Sequence, residues 1–346
     1  MSEVTTIGLD LAKDVFQVHG ADADGAPLFN RKLRRSEMRR FFKKLPGCLV
    51  AMEACASAHY WAREITALGH KVKLIPPQYV KPFVKRGKTD AADAEAISEA
   101  VTRKTMRFVP VKSAEQQAAA AVLKTRALLV RQRTQTINAL RAHMGEFGIV
   151  ARSGTSNVKA LGAAVRDEED ERLPPAARFA LTELVEEIER LSERIDRLER
   201  KVRDEAKACA DMQRLMTIPG VGAIIATTIM ALVPDPGGFR SARHFAAWMG
   251  LTPRSHSSGG KASLGSISRM GNSDLRSLLT AGAASVLRHV RYHDKAWPWL
   301  QRLLERRPFK VVAIALANKV ARTIWALLVK GGSYRTPTTI ATMTTA

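Results

Sequence analysis

Two apolar runs of strand-forming residues each stop at a carboxylate. Val4-Thr-Thr-Ile-Gly-Leu-Asp10 ends on Asp10, and Cys48-Leu-Val-Ala-Met-Glu53 ends on Glu53. Runs this apolar read as buried strands, and buried strands fix where their last residues lie. A third acidic group, Asp90 and Asp93, opens an alanine-rich helix in Lys88-Thr-Asp-Ala-Ala-Asp93. Two anions about 4 Å apart repel by roughly 4 kcal/mol at an effective dielectric near 20. A divalent cation relieves that repulsion and supplies phosphoryl-transfer chemistry.

The pattern around these runs gives the fold class. Residues 4–10, 15–20 and 27–33 read as three strands, with Asp22-Ala-Asp-Gly25 turning the second into the third. A basic helix from Ser36 to Lys44 follows, then strand 48–53, helix 56–68 and strand 71–75, which stops at Pro76-Pro77. Antiparallel strands followed by alternating helix and strand predict a ribonuclease-H-like α/β sheet with its first strand in the centre. The rest of the chain is predicted to be all-α. Acids at the carboxyl ends of such strands stand where α/β folds place ligands.

Taken singly, each acid has a plainer reading. Asp10 alone could cap a strand, and Glu53 alone could pair with a lysine. Thr89-Asp90-x-x-Asp93 is an ordinary helix start, with Asp favoured by the N-terminal dipole. Together they say more, because i and i+3 spacing puts Asp90 and Asp93 on one helix face. Asp14 and Glu95 are solvated alternatives. Actin-like ATPases also begin with a strand-end Asp, but Leu11-Ala-Lys-Asp14 lacks their glycine-rich phosphate turn.

Charge points to the partner. The 346 residues carry 55 Lys and Arg against 33 Asp and Glu, a net of +22 with a pI near 10.4. A chain this basic meets polyanions, nucleic acid first and anionic membrane second. The charge is uneven: residues 167–211 are net −6, leaving +28 on the remainder. That segment contains Leu181, Leu184, Ile188, Leu191, Ile195, Leu198 and Val202 at heptad a and d spacing. The plain alternative is an amphipathic helix on its own domain. A coiled coil is expected, either with the basic helix 114–145 or with another subunit.

After residue 211 comes Ile218-Pro-Gly-Val-Gly222, a helix-hairpin-helix type turn. Gly220 and Gly222 would let backbone N–H groups approach a phosphate, or simply make the turn. The stretch Gly250 to Gly271 reads as a Gly- and Ser-rich loop carrying Arg254, His256, Lys261 and Arg269. It is either a linker or a second site, since cations near a serine can hold a phosphate. Chemistry alone leaves Ser255, Ser257 and Ser258 equivalent.

Three cysteines without a CxxC motif argue against a disulfide framework or a zinc site. The histidine pair His289 and His293 lacks a thiol partner. The apolar stretch 311–329 is broken by Asn318, Lys319 and Arg322, so a core helix is expected and not a membrane span. With no secretion signal read at the N-terminus, a reducing bacterial cytoplasm is the expected setting.

In order, IGLDLAKD, the VAMEA strand end, KTDAADA, the IPGVG hairpin and GLTPRSHSSGG resemble the DEDD-type transposases of bacterial insertion sequences. The group is that of IS one-ten and IS eleven-eleven, described as bridge-RNA-guided recombinases. The resemblance covers nearly the whole chain. It implies a RuvC-like DEDD domain over 1–112, a helical coiled-coil region over 113–210, and a C-terminal transposase domain over 211–346. It implies that Asp10, Glu53, Asp90 and Asp93 hold Mg²⁺ or Mn²⁺, and that Ser258, just before the first glycine of the loop, is the nucleophile. It further implies donor and target DNA, a structured guide RNA, and a homo-dimer or tetramer as partners, with action at the nucleoid and no membrane. Gly220, Gly222, Arg254, His256, Lys261 and Arg269 are the expected nucleic-acid contacts. The rival reading is a metal-dependent RuvC-like Holliday-junction nuclease in which Ser258 is a bland loop residue. A binding protein without catalysis is the remaining one.

Overall fold

The computed structural model describes residues 3–85, 87, 89–152, 154, 157–290 and 297–335. Lys88 and His293, singled out above, lie outside them. The chain divides into two compact units, residues 1–117 and 118–346.

The first unit is a mixed α/β sheet. Strands β1 (Thr6–Asp10), β2 (Val15–Ala21), β3 (Pro27–Arg34), β4 (Leu49–Glu53) and β5 (Lys71–Ile75) assemble in the order β3-β2-β1-β4-β5. The first strand is central, antiparallel to β2 and parallel to β4. Asp22 makes the β2–β3 hairpin, its Oδ1 accepting from the backbone N–H of Asp24 and Ala26. The edge strand β3 is mostly exposed and carries Arg31, Lys32 and Arg34, charges that discourage pairing with another chain.

Strand alternation sorts the two faces. Ile7, Leu9, Phe16, Val18, Val50 and Met52 pack on α1 (Met38–Lys44) and α2 (Ala58–Ala67) through Phe42, Trp61 and Ile65. The other face carries Gly8, Asp10, Ala51 and Glu53. After the short α3 (Pro77–Val80), it receives α4 (Asp90–Val101) through Ile97, Ala100 and Val101. Gly8 permits the closest approach, since a Cβ there would meet Ala94 O at 2.0 Å and Ser98 N at 2.6 Å.

The second unit is helical apart from one hairpin. Helix α5 (Ala114–Gly145), whose first turn belongs to the first unit, leads through α6 (Val158–Arg166) into α7 (Pro175–Ala208). The heptad stripe of α7 finds its partner inside the chain. Leu191 and Ile195 pack on Leu129, and Leu181, Val185 and Ile188 pack on Ile137, Leu140 and Met144. Arg126 bonds Glu199, and Arg133 reaches Ser192. Contacts that run up one helix while running down the other define an antiparallel pair.

Helices α8 (Ala210–Met216), α9 (Ala223–Leu232) and α10 (Ala242–Trp248) follow. Strands β6 (Pro253–Ser255) and β7 (Leu264–Ile267) interrupt them before α11 (Ser273–Val290), α12 (Pro298–Leu304) and α13 (Phe309–Lys330). They share a core that includes Leu215, Ile229, Phe245, Leu279, Leu316 and Ile324. Helix α13 is long and apolar enough to cross a bilayer, but its buried stripe from Val312 to Leu327 belongs to this core.

Candidate active site at the carboxyl edge of the sheet

Asp10 and Glu53 are next-door neighbours across the parallel β1–β4 ladder. The paired register runs to Leu9 and Met52, and the two acids are the following residues. Each is half-buried, on the face that α4 covers. Thr89 caps that helix, its Oγ1 accepting from the Ala92 N–H at 3.2 Å. The first turn therefore carries Asp90 and Asp93, the exposed and the half-buried acid respectively, over the same sheet edge.

Electrostatics ties the four together. Burial pushes the Asp10 carboxyl up from its ordinary range, and Asp93 and then Asp90 push it further; the Leu11 backbone N–H opposes them. Glu53 is raised by burial, then by Asp10 and Asp93. None of the four has a Lys or Arg ion-pair partner among the described residues. The group is three half-buried anions and one exposed one, lacking a counter-charge of their own, a costly arrangement for a fold to keep. Among the described residues no three His, Cys, Asp or Glu side chains close into a metal-ligating cage. Convergence here is one of strand and helix ends, coupled through the charges of Asp10, Glu53, Asp90 and Asp93. The donor set, all carboxylate oxygen, suits a hard divalent cation such as Mg²⁺ or Mn²⁺.

The alternative acids are accounted for differently. Glu95 pairs with Lys85 at 2.5 Å, which lowers its pKa. Asp14 lies in the turn after β1, where its carbonyl accepts from Arg35 N–H. Cys55, which sequence reasoning gave no role, is coupled to the site: burial and then Glu53 and Asp10 raise its thiol.

The serine segment is a β-hairpin and not the flexible loop expected from its composition. Ser258 and Lys261 exchange backbone hydrogen bonds of 3.3 and 3.0 Å. Gly259 and Gly260 between them take φ of +55° and +77°, a two-residue turn that needs both glycines. Ser-Gly-Gly-Lys was the available signal, obscured by the polarity of its flanks. The same ladder pairs Ser255 with Leu264 and bonds His256 N–H to Ser263 O.

Alternation then separates the serines. Ser255 and Ser257 share one face and bond each other, Oγ to Oγ, at 2.9 Å. Arg254, His256 and Ser258 occupy the other face, with Lys261 opposite Ser258. Ser258 is exposed at the tip, and its hydroxyl has no hydrogen-bond partner among the described residues. Arg254 spends donors within the hairpin, its Nη2 reaching Ser268 O at 3.0 Å. Arg269 follows at φ +55°.

At the IPGVG turn the two glycines differ. Gly220, at φ +84°, lies against Gly282 of α11, and a Cβ would meet Gly282 O at 2.7 Å. Its glycine is required by packing. Gly222 is the N-cap of α9 and has open space around its Cα. The cysteines Cys48, Cys55 and Cys209 are all free thiols.

Comparison with known proteins gives the family. Residues 7–149 match the model of the IS110 DEDD transposases, described as a transposase, and residues 212–297 match that of the transposase IS116/IS110/IS902 family. A probable family 20 transposase of Pseudomonas aeruginosa is 51% identical, over 96% of this chain and 99% of that protein. The transposases of insertion sequence elements IS1328 of Yersinia enterocolitica and IS1111A of Coxiella burnetii are each 40% identical. The first match covers 96% of this chain and 98% of that protein, the second 97% and 92%.

Proposed function

Since the chain belongs to the IS110/IS116 family of DEDD transposases, and so is a DNA transposase of an insertion sequence, we propose that it cuts and rejoins DNA with a divalent cation and a serine nucleophile. The observation that carries this is the uncompensated acid group at the carboxyl ends of β1 and β4 under α4. There Asp10 and Glu53 are raised by burial and by their acidic neighbours. Asp10, Glu53, Asp90 and Asp93 would hold Mg²⁺ or Mn²⁺, which when bound offsets phosphate charge and supports departure of the 3′ oxygen.

The remaining steps belong to the chain. The sheet of the first unit is ribonuclease-H-like in its strand order, and the acids at the carboxyl ends of its central strands would receive a backbone phosphate. Ser258, at the hairpin tip and free of the Ser255–Ser257 pair, attacks phosphorus. The Oγ–P bond forms and the P–O3′ bond breaks. The product is a 5′-phosphoserine and a free 3′-OH, which takes up the proton that the serine loses. Attack by a 3′-OH on the phosphoserine reverses these bonds and releases Ser258, so religation needs no external energy source. Arg254, His256 and Lys261 surround the serine with donors for the phosphate oxygens. Gly222 at the open start of α9, and Gly220 through the shape of the turn, suit contact with the nucleic-acid backbone.

A structured guide RNA would supply the sequence reading. That fits a chain of net charge +22 with only 6% aromatic residues, equipped to hold polyanions more than to read bases. Acids of one subunit and the serine of another would act together in a dimer or tetramer. The setting would be the bacterial cytoplasm, at the nucleoid.

The test is a denaturing gel of protein, Mg²⁺, guide RNA and nicked DNA. Wild type should give a DNA–protein adduct that Ser258→Ala abolishes and Ser257→Ala retains. Cleavage that survives Ser258→Ala would instead identify a metal-only junction nuclease.

A further inference from the structure

Below the loop that follows Asp10, the first unit has a cleft of about 710 Å³, outside the acid group and unused by the reaction described above. That volume falls within the range of small-ligand sites, roughly 300–1,000 Å³. Its walls include Arg34, Arg35, Arg39, Tyr60, Trp61 and Asp14. Strand register fixes its place. Asp10 pairs with Gln17, and Val15 pairs with Arg34, so the start of β2 and the end of β3 lie at the edge where β1 delivers Asp10.

Arg35 is the most constrained of these residues. Its guanidinium lies 5.6 Å from the Phe16 ring centre and 5.5 Å from that of Trp61, and Nη1 donates to Lys13 O at 3.2 Å. No acid pairs with Arg35 or with the side chain of Arg34 among the described residues, whereas Arg39 pairs with Glu64. A guanidinium held this firmly has lost its freedom before any ligand arrives, yet most of its N–H donors remain unused. Tyr60 is 42% exposed although its ring is held by Trp61, at 5.2 Å between centres and 74° between planes. A fixed cation beside a held, accessible aromatic ring is the pair of features that binds one nucleotide, phosphate on the fork and base on the ring. Asp14, the one acid in the lining, suits a base N–H and repels a phosphate.

We propose that this cleft receives an unpaired nucleotide of a single strand, with its phosphate on Arg34 and Arg35 and its base stacked on Tyr60. A base in an intact duplex has both faces covered, so the site selects strands that are already open or opened on arrival. The proposal rests on reading the neighbouring acids as the place where DNA is cut. It adds that a strand arriving at this end of the sheet is held at a second point, on the α1–α2 side. The nucleotide could belong to DNA or to RNA, which offer the same phosphate and base chemistry.

The test uses the full chain in chelator, so that no cleavage occurs, at a salt concentration that suppresses non-specific binding. Fluorescence anisotropy follows labelled oligodeoxythymidylate, labelled oligouridylate and a labelled hairpin duplex. Tyr60→Ala should weaken single-strand binding about five-fold or more, the lower end of what one stacked base contributes. Duplex binding should be unchanged, and Tyr60→Phe should restore the single-strand affinity. Arg35→Gln should weaken it as well. A larger loss with the deoxy strand assigns the nucleotide to DNA, and a larger loss with the ribo strand assigns it to RNA. Unchanged affinity in Tyr60→Ala, or equal loss for single strand and duplex, overturns the proposal. Cleavage of nicked DNA by the wild-type chain in Mg²⁺, measured apart from these titrations, reports on the acid group, so its failure would show separately from a loss of single-strand binding.

Discussion

Gly8 lies so close to Ala94 that a side-chain methyl on Gly8 would stand 2.0 Å from the Ala94 carbonyl oxygen. This contact sets the height of α4 above the sheet. It therefore sets how near Asp90 and Asp93 come to Asp10, two residues beyond Gly8. Gly8→Ala must lift the helix, because Ala94 O and Ser98 N are backbone atoms that cannot swing aside. Overpacking of this kind costs about 1–3 kcal/mol. The expected outcome is a folded protein with a modestly lower Tm and a disproportionate loss of strand cleavage, at least ten-fold. Cleavage assays beside thermal melts check it. Full activity in Gly8→Ala would uncouple α4 from the site.

The acids should cost stability when no cation is present. Asp10 has a folded pKa above its ordinary 3.8, raised by burial and by Asp93 and Asp90. The fold thus holds its proton more tightly than the unfolded chain does, and stability falls as pH rises through that interval. Asp10→Asn should therefore raise the Tm in chelator while abolishing cleavage, and Mg²⁺ should stabilise wild type more than the variant. Differential scanning fluorimetry at pH 7, with chelator and with Mg²⁺, reads both.

His59 gives the opposite slope. Its Nδ1 accepts from the Lys112 N–H at 3.2 Å, and burial first, then Lys112 and Arg63, push its pKa from 6.5 down to about 4. Between those values the unfolded chain binds a proton that the fold refuses, so stability declines on acidification from pH 6.5 towards 4. His59→Gln should flatten that part of the Tm profile. An unchanged profile would place the acid sensitivity elsewhere.

Much of the first unit was legible because its strands carry their own signals. Five apolar or alternating runs became five strands with ends within two residues of expectation, and β1 took the central place. The serine segment was less legible. Its Ser, Gly and Lys content is that of a loop, and only the Gly259-Gly260 pair betrays a hairpin turn. The heptads of α7 gave the stripe but not the partner, since a helix of the same chain and one of another subunit satisfy a and d positions equally. Gly8 read as an ordinary strand residue, because close approach by a helix distant in sequence leaves no local trace. The same holds for the cleft at Arg35, which four separate segments build.

Gly220 and Gly222 read alike in sequence and should behave differently. Gly220→Ala meets the Gly282 backbone and should lower the Tm by several degrees. Gly222→Ala meets nothing within 4 Å and should leave the Tm nearly unchanged while weakening nucleic-acid binding. Melts and binding titrations of the two variants, side by side, separate packing from contact.

The central claim is that Asp10, Glu53, Asp90 and Asp93 form one cation site. Titration of Mn²⁺ into the full chain, followed by electron paramagnetic resonance, tests it most directly. The expected result is saturable binding that weakens at least ten-fold in each of Asp10→Asn, Glu53→Gln, Asp90→Asn and Asp93→Asn. Binding as tight as wild type in folded forms of these four variants would contradict it.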